Sequence, residues 1–218
     1  EFKVAINAKA WAAGENFPGT QSQLGGCGIQ TAALSCTGNP YAVTTFEYDG
    51  TDWTAAPNHP TANELSGLMT GTQTAAIAKT GILPGSVSPR VGAKSAEYNG
   101  TAWSDGEDSN TNRARGAMSG TQTASFAVGG IDSLPVDDNR TNATEEYDGT
   151  NWATGNAGST ARDQMWASGT LTAGLWAGGA VPPGDVASNA TEEYDGTNWT
   201  AGGDLPAAKY SGSVTGTQ

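Results

Sequence analysis

A chain of 218 residues with a single histidine has little access to imidazole chemistry. His59 stands between Asn58 and Pro60 in turn-forming sequence, and is expected to be a solvated loop residue. One such residue cannot build a multi-histidine zinc site or a Ser-His-Asp relay. Cys27 and Cys36 are too few to staple a chain of this size. On one tight hairpin, Cys27 is expected to face a position near 32 and Cys36 one near 23, so both are expected as free thiols. Among 22 acidic residues a glycosidase-type pair is conceivable, but nothing singles one out. Asp132, Asp137, Asp138 and Asn139 crowd one loop without the spacing of a calcium loop, and read as a solvated acidic turn. The expectation is no catalytic residue, no metal and no cofactor.

The elements that carry these residues are repeated. Glu-Tyr-Asp-Gly-Thr-x-Trp or a close variant occurs at Glu47 to Trp53, Glu97 to Trp103, Glu146 to Trp152 and Glu193 to Trp199. Aligned on Trp, the registers begin at Trp11, Trp53, Trp103, Trp152 and Trp199, with spacings of 42, 50, 49 and 47 residues. A period of that size marks units that bury their apolar faces on one another. The Asp-Gly or Asn-Gly pair before each Trp predicts a type I′ hairpin. A second turn follows around Gly71-Thr72-Gln73-Thr74 and Gly120-Thr121-Gln122-Thr123, with weaker copies at Gly28 and Gly169. Each unit therefore holds four strands. Small apolar strands such as Ala75-Ala76-Ile77 suit an axis, whereas Tyr and Trp suit the splayed periphery. The chain is expected to be all-β, a single β-propeller domain over 1–218.

Five blades are expected, over about 19–56, 57–104, 105–153 and 154–200, with the fifth assembled from 201–218 and 1–18 by strands from both termini. That fifth blade is expected to lack its second strand, to be supplied by sequence past Gln218 or by a neighbouring chain.

The order Tyr194-Asp195, Trp199, Leu205-Pro206, Lys209, with Tyr147-Asp148, Trp152 and Arg162, and the pairs Gly129-Gly130 and Gly178-Gly179, resembles the kelch repeat. It departs from that pattern where Gly38 and Gly81 stand without a second glycine and where Gln21 and Glu64 replace the basic residue. The resemblance implies a propeller of the kind used in scaffolds, receptors, lectin-like modules and, rarely, copper radical oxidases. The oxidase site needs two His and a Tyr-Cys crosslink, and this chain has one His. The near-verbatim Tyr-Asp-Gly-Thr-Asn-Trp-Thr wording is similar to repeats in phage and bacterial surface proteins, which implies an extracellular or virion location.

Binding candidates come from two series. Gln21, Glu64, Arg113, Arg162 and Lys209 recur nine residues before each Gln of Gly-Thr-Gln or its equivalent, and are expected near a rim of the channel, the arginines bonding blade carbonyls. The loops joining second and third strands vary most and share one end, offering Tyr41, Arg90, Arg140 and Asp185. Ten basic against 22 acidic residues give a net charge of -12, which repels nucleic acid and anionic lipid. No apolar run is long enough to insert into a membrane. The expected function is a non-enzymatic binding or structural module of an extracellular or virion surface, with a protein or glycan surface or other assembly subunits as partners. The alternatives are a purely architectural subunit or a carbohydrate-active enzyme.

Overall fold

The computed structural model describes residues 14–65, 68–85, 90–134 and 139–216. Short runs of Thr, Ala, Tyr and Trp cut by Gly, Asp and Asn form strands, and no helix occurs among the described residues. The first sheet contains β1 (Gly25–Ile29), β2 (Ala32–Cys36), β3 (Thr45–Tyr48) and β4 (Trp53–Ala56); the second contains β5 (Met69–Thr72), β6 (Ala75–Lys79), β7 (Ser95–Tyr98) and β8 (Trp103–Asp105). The third contains β9 (Ala117–Thr121), β10 (Ala124–Val128), β11 (Thr144–Tyr147) and β12 (Trp152–Gly155). The fourth contains β13 (Trp166–Thr170), β14 (Ala173–Ala177), β17 (Thr191–Tyr194) and β18 (Trp199–Ala201), with a small hairpin of β15 (Ala180–Val181) and β16 (Val186–Ala187) inserted before its third strand. Each sheet is an antiparallel meander, and β1 packs on β5, β5 on β9, and β9 on β13. First strands thus line an axis and fourth strands form the rim, which makes the fold a β-propeller.

The propeller has four blades among the described residues, not the expected five. Residues 202–216 form no strand, only an isolated bridge between Ser188 and Lys209. The other half of the expected fifth blade, with Trp11, falls mostly on residues 1–13, outside the described residues, as do Thr217 and Gln218. The described C-terminal segment nevertheless docks by the repeat's own contact. Thr70 Oγ1 donates to Gly120 O at 2.8 Å, Ser119 Oγ to Gly169 O at 2.8 Å, and Ser168 Oγ to Gly216 O at 2.7 Å. Residues 211–216 therefore lie against β13 as each inner strand lies against the one before it. At the other end, Phe17 packs edge-on against Phe46 and Trp53, with ring centroids 5.2 and 5.1 Å apart.

The repeated phrase is a set of bonds between neighbouring blades. The Tyr98 hydroxyl donates to Glu47 Oε1 and that of Tyr147 to Glu97 Oε1, each at 2.7 Å, and Tyr194 donates to Glu146 in the same way. All three tyrosines are buried, which together with the facing carboxylate raises their pKa. Trp103 Nε1 donates to Thr45 Oγ1 at 3.0 Å and Trp199 Nε1 to Thr144 Oγ1 at 2.8 Å, again one blade back. Gln73 Nε2 donates to the carbonyls of Ala33 and Tyr48, and Gln122 Nε2 to those of Ala76 and Tyr98. Glu146 is thus structural, as its repetition implies.

The Asp-Gly turn is not type I′. Tyr48 pairs with Trp53, leaving a four-residue loop in which Gly50 has positive φ and Asp49 does not. Asp49 Oδ1 instead accepts the N–H groups of Thr51 and Asp52 at 2.8 and 2.9 Å, and Asp148 and Asp195 do the same in their loops. These backbone donors hold the three carboxyls below their usual range. In the inner hairpin, Cys27 pairs with Leu34 and Cys36 with Gly25, two positions from the expected register, and both thiols are free.

Candidate functional site at the axial mouth

The connections between second and third strands bring their polar residues together in two groups. Arg90 donates to the Tyr41 hydroxyl. Arg140 reaches Asp163 Oδ1 through Nε at 2.7 Å and Asp185 through Nη2, while Asp163 Oδ2 lies 3.9 Å from Arg115 Nη1. Glu64 links the groups electrostatically. Burial raises its pKa, and Arg90 and Arg115 oppose that rise. Asp163 and Arg115 were not among the residues expected here, whereas Glu64 belongs to the repeated series expected near the channel rim. Tyr41 also packs on an apolar cluster of Ile82, Val91, Ala114, Ile131 and Leu134 beneath these loops.

Arg113 and Arg162, expected as binding candidates, are fully buried and committed to the blades they lead into. Arg113 donates to the carbonyls of Gly129 and Ala143 and pairs with Glu145 at 3.2 Å. Arg162 donates to Gly178 O and Ala190 O at 3.0 and 2.9 Å, pairs with Glu192, and lies 4.2 Å over the Trp176 ring. Neither presents a surface to a ligand, because each closes the strand-connecting loop of its blade. Lys209 is exposed, and its backbone is held by Ser188 and Gly179. His59, expected in solvent, is buried at 2% exposure with its ring edge-on to Trp103 at 4.8 Å. Its Nδ1 accepts the Thr61 N–H at 3.1 Å, and desolvation holds the imidazole below its usual pKa. Lys79 is also buried, donating to Thr111 O at 2.7 Å; desolvation and then Arg113 lower its pKa to about 7.

Two residues after the buried arginines the backbone turns left-handed. Gln23, Arg115, Gln164 and Ser211 have φ of 56°, 53°, 55° and 56°, at the four such positions among the described residues. A non-glycine residue there costs about 1–2 kcal/mol. The offset comes from a chain of backbone bonds around the axis: Gln164 N–H donates to Arg115 O at 2.7 Å and Ser211 N–H to Gln164 O at 2.9 Å. In an extended segment residues i and i+2 share a face, so Arg115 would be buried with Arg113; the left-handed turn redirects it. The four side chains consequently line a cavity of about 330 Å³ at the mouth of the channel, together with Met165 and Trp166.

Several polar groups here are not saturated by the protein. Among the described residues the Gln23 amide has no partner, and Arg115 is held by a long pair to Asp163 and a Coulombic interaction with Glu64, with its side chain 36% exposed. Ser211 Oγ donates to Gln164 Oε1 at 2.7 Å, Gln164 Nε2 donates to Asp163 Oδ2 at 3.4 Å, and the buried indole N–H of Trp166 has no partner among the described residues. Gly212 packs on the indole so closely that a Cβ would lie 2.4 Å from the ring. The sequence signal for this site was available: a polar residue two positions after each member of the Gln21 to Lys209 series. Among the described residues no three His, Cys, Asp or Glu side chains group to hold a metal, and no helix is long and apolar enough to cross a membrane.

Comparison of the chain with known protein families finds no match. Comparison with curated proteins finds no relative either.

Proposed function

We propose that this chain is a non-enzymatic recognition module with a kelch-like propeller, displayed on an extracellular or virion surface, and that it binds a protein or glycan surface at the axial mouth. The observation that carries this reading is the cavity ringed by Gln23, Arg115, Gln164 and Ser211, whose side chains retain hydrogen-bonding capacity. A concave site with a few convergent polar groups on a rigid scaffold is the usual form of a binding site. No carboxylate lines this cavity among the described residues, which favours binding over glycoside hydrolysis. The surface location rests on the repeat wording and the net charge of -12.

A glycan array combined with a pull-down on intact cells tests the reading. Retention that is weakened by Gln23→Ala supports it. Silence in both assays, with an obligate ring or filament at low micromolar concentration, replaces it with the architectural reading, to which the docked but unpaired segment 211–216 would lend an edge.

A further inference from the structure

The chemistry of the mouth narrows the class of ligand. Among the described residues three guanidinium groups, Arg90, Arg115 and Arg140, stand with three carboxylates, Glu64, Asp163 and Asp185, around the mouth. A net charge of -12 adds a long-range field that opposes anionic partners. The wall offers the unpartnered amide at Gln23, the remaining capacity of a Gln164 amide that accepts from Ser211 Oγ and donates to Asp163 Oδ2 at 3.4 Å, the Ser211 oxygen as acceptor, the partly exposed Arg115 fork and the half-buried Trp166 ring. An amide both donates and accepts, as each sugar hydroxyl does, and a guanidinium fork spans two neighbouring oxygens. An indole offers a flat apolar body to the C–H face of a pyranose. A volume of about 330 Å³ is at the small end of ligand pockets.

We infer that the axial mouth binds a neutral saccharide, with Gln23, Gln164, Ser211 and Arg115 bonding its hydroxyls against the Trp166 ring. The inference rests on the recognition reading above and adds the chemical class. A nucleotide or acidic glycan would meet a single lining cation, Arg115, already facing Asp163, against the opposing field of a net charge of -12. A basic peptide would find no carboxylate among the residues lining the cavity. A free oligosaccharide and the same glycan on a glycoprotein share this chemistry.

The test is an array of neutral, sialylated and uronic-acid glycans, printed free and on carrier protein, beside acidic and basic peptide panels. It is probed with the intact chain, with Gln23→Ala and with Trp166→Phe, each variant first checked for an unchanged melting midpoint. Binding to neutral glycans in both presentations is expected, weakened at least about tenfold by Gln23→Ala, as the loss of one well-made bond to a ligand hydroxyl implies. Binding to the carrier form alone transfers the recognition to protein and overturns the saccharide class. So does the absence of any neutral glycan, or neutral-glycan binding that Gln23→Ala leaves unchanged. A peptide whose binding falls in Gln23→Ala overturns the class but leaves the mouth as the site; a peptide bound equally by both overturns the mouth as well.

Discussion

At the scale of single residues, the charged groups with the least exposure are structural, and the polar groups nearest the axis are the ones left for a ligand. Lys79 illustrates the first kind. It is fully buried at the junction of the second and third blades, beside Arg113, with a pKa lowered from 10.5 to about 7. Below pH 7 both folded and unfolded chains carry the proton; between about 7 and 10.5 the unfolded chain holds it and the folded chain does not. The state that binds more protons is favoured by acid, so stability rises with pH across that window. Urea unfolding from pH 7 to 10 should show this rise, and Lys79→Met should flatten it. An unchanged slope in the variant would mean that Lys79 is solvated. Tyr98 is the second case, a buried hydroxyl aimed at Glu47 of the preceding blade. Tyr98→Phe is expected to cost about 1 kcal/mol. The cost should largely vanish in a Glu47→Ala background, which removes the acceptor, and a double-mutant cycle in urea measures that coupling.

At the scale of elements, the repeat announced its strands and misreported one turn. Asp-Gly before Trp was legible as a hairpin because glycine supplies the positive φ. The loop length was not legible, because the Asp side chain caps two N–H groups and lets four residues close the turn. Gly149 sits at φ 94° with the side chain of Thr123 packed over it, so an added methyl meets both strain and contact. Gly149→Ala is expected to destabilise by about 1–3 kcal/mol, read as a lower denaturant midpoint with an unchanged slope. Buried Arg113 and Arg162 show the limit of counting residues in a repeat. Their spacing marked a repeated series expected near the channel rim, and they bond blade carbonyls, but two positions decide whether a side chain turns into the blade or toward the axis. The left-handed backbone at Arg115 and Gln164 makes that decision, and it is fixed by hydrogen bonds between blades that no local pattern reveals. His59 was misread for a similar reason: its neighbours are turn formers, yet the Trp103 ring that buries it arrives from the next blade.

At the scale of the whole molecule, the class was legible and the blade number was not. Four copies of one phrase, with Tyr98, Tyr147 and Tyr194 each bonding the glutamate of the copy before, determine a radial array. The expected fifth blade is absent among the described residues, and residues 211–216 dock on β13 without forming a sheet. The same segment supplies Ser211 and Gly212 to the mouth, so the piece docked on β13 is also part of the candidate site. That coupling makes Trp166 a reporter: its indole lies under Gly212 and its N–H has no protein partner. Titrating the ¹⁵N-labelled protein with a neutral oligosaccharide selected from the array, and following the indole N–H signals, tests recognition at the mouth most directly. The Trp166 signal, assigned by its loss in Trp166→Phe, should shift with saturation while those of Trp103, Trp152 and Trp199 stay in place. A saturable shift confined to the other tryptophans, or none at all while the saccharide binds, would contradict it.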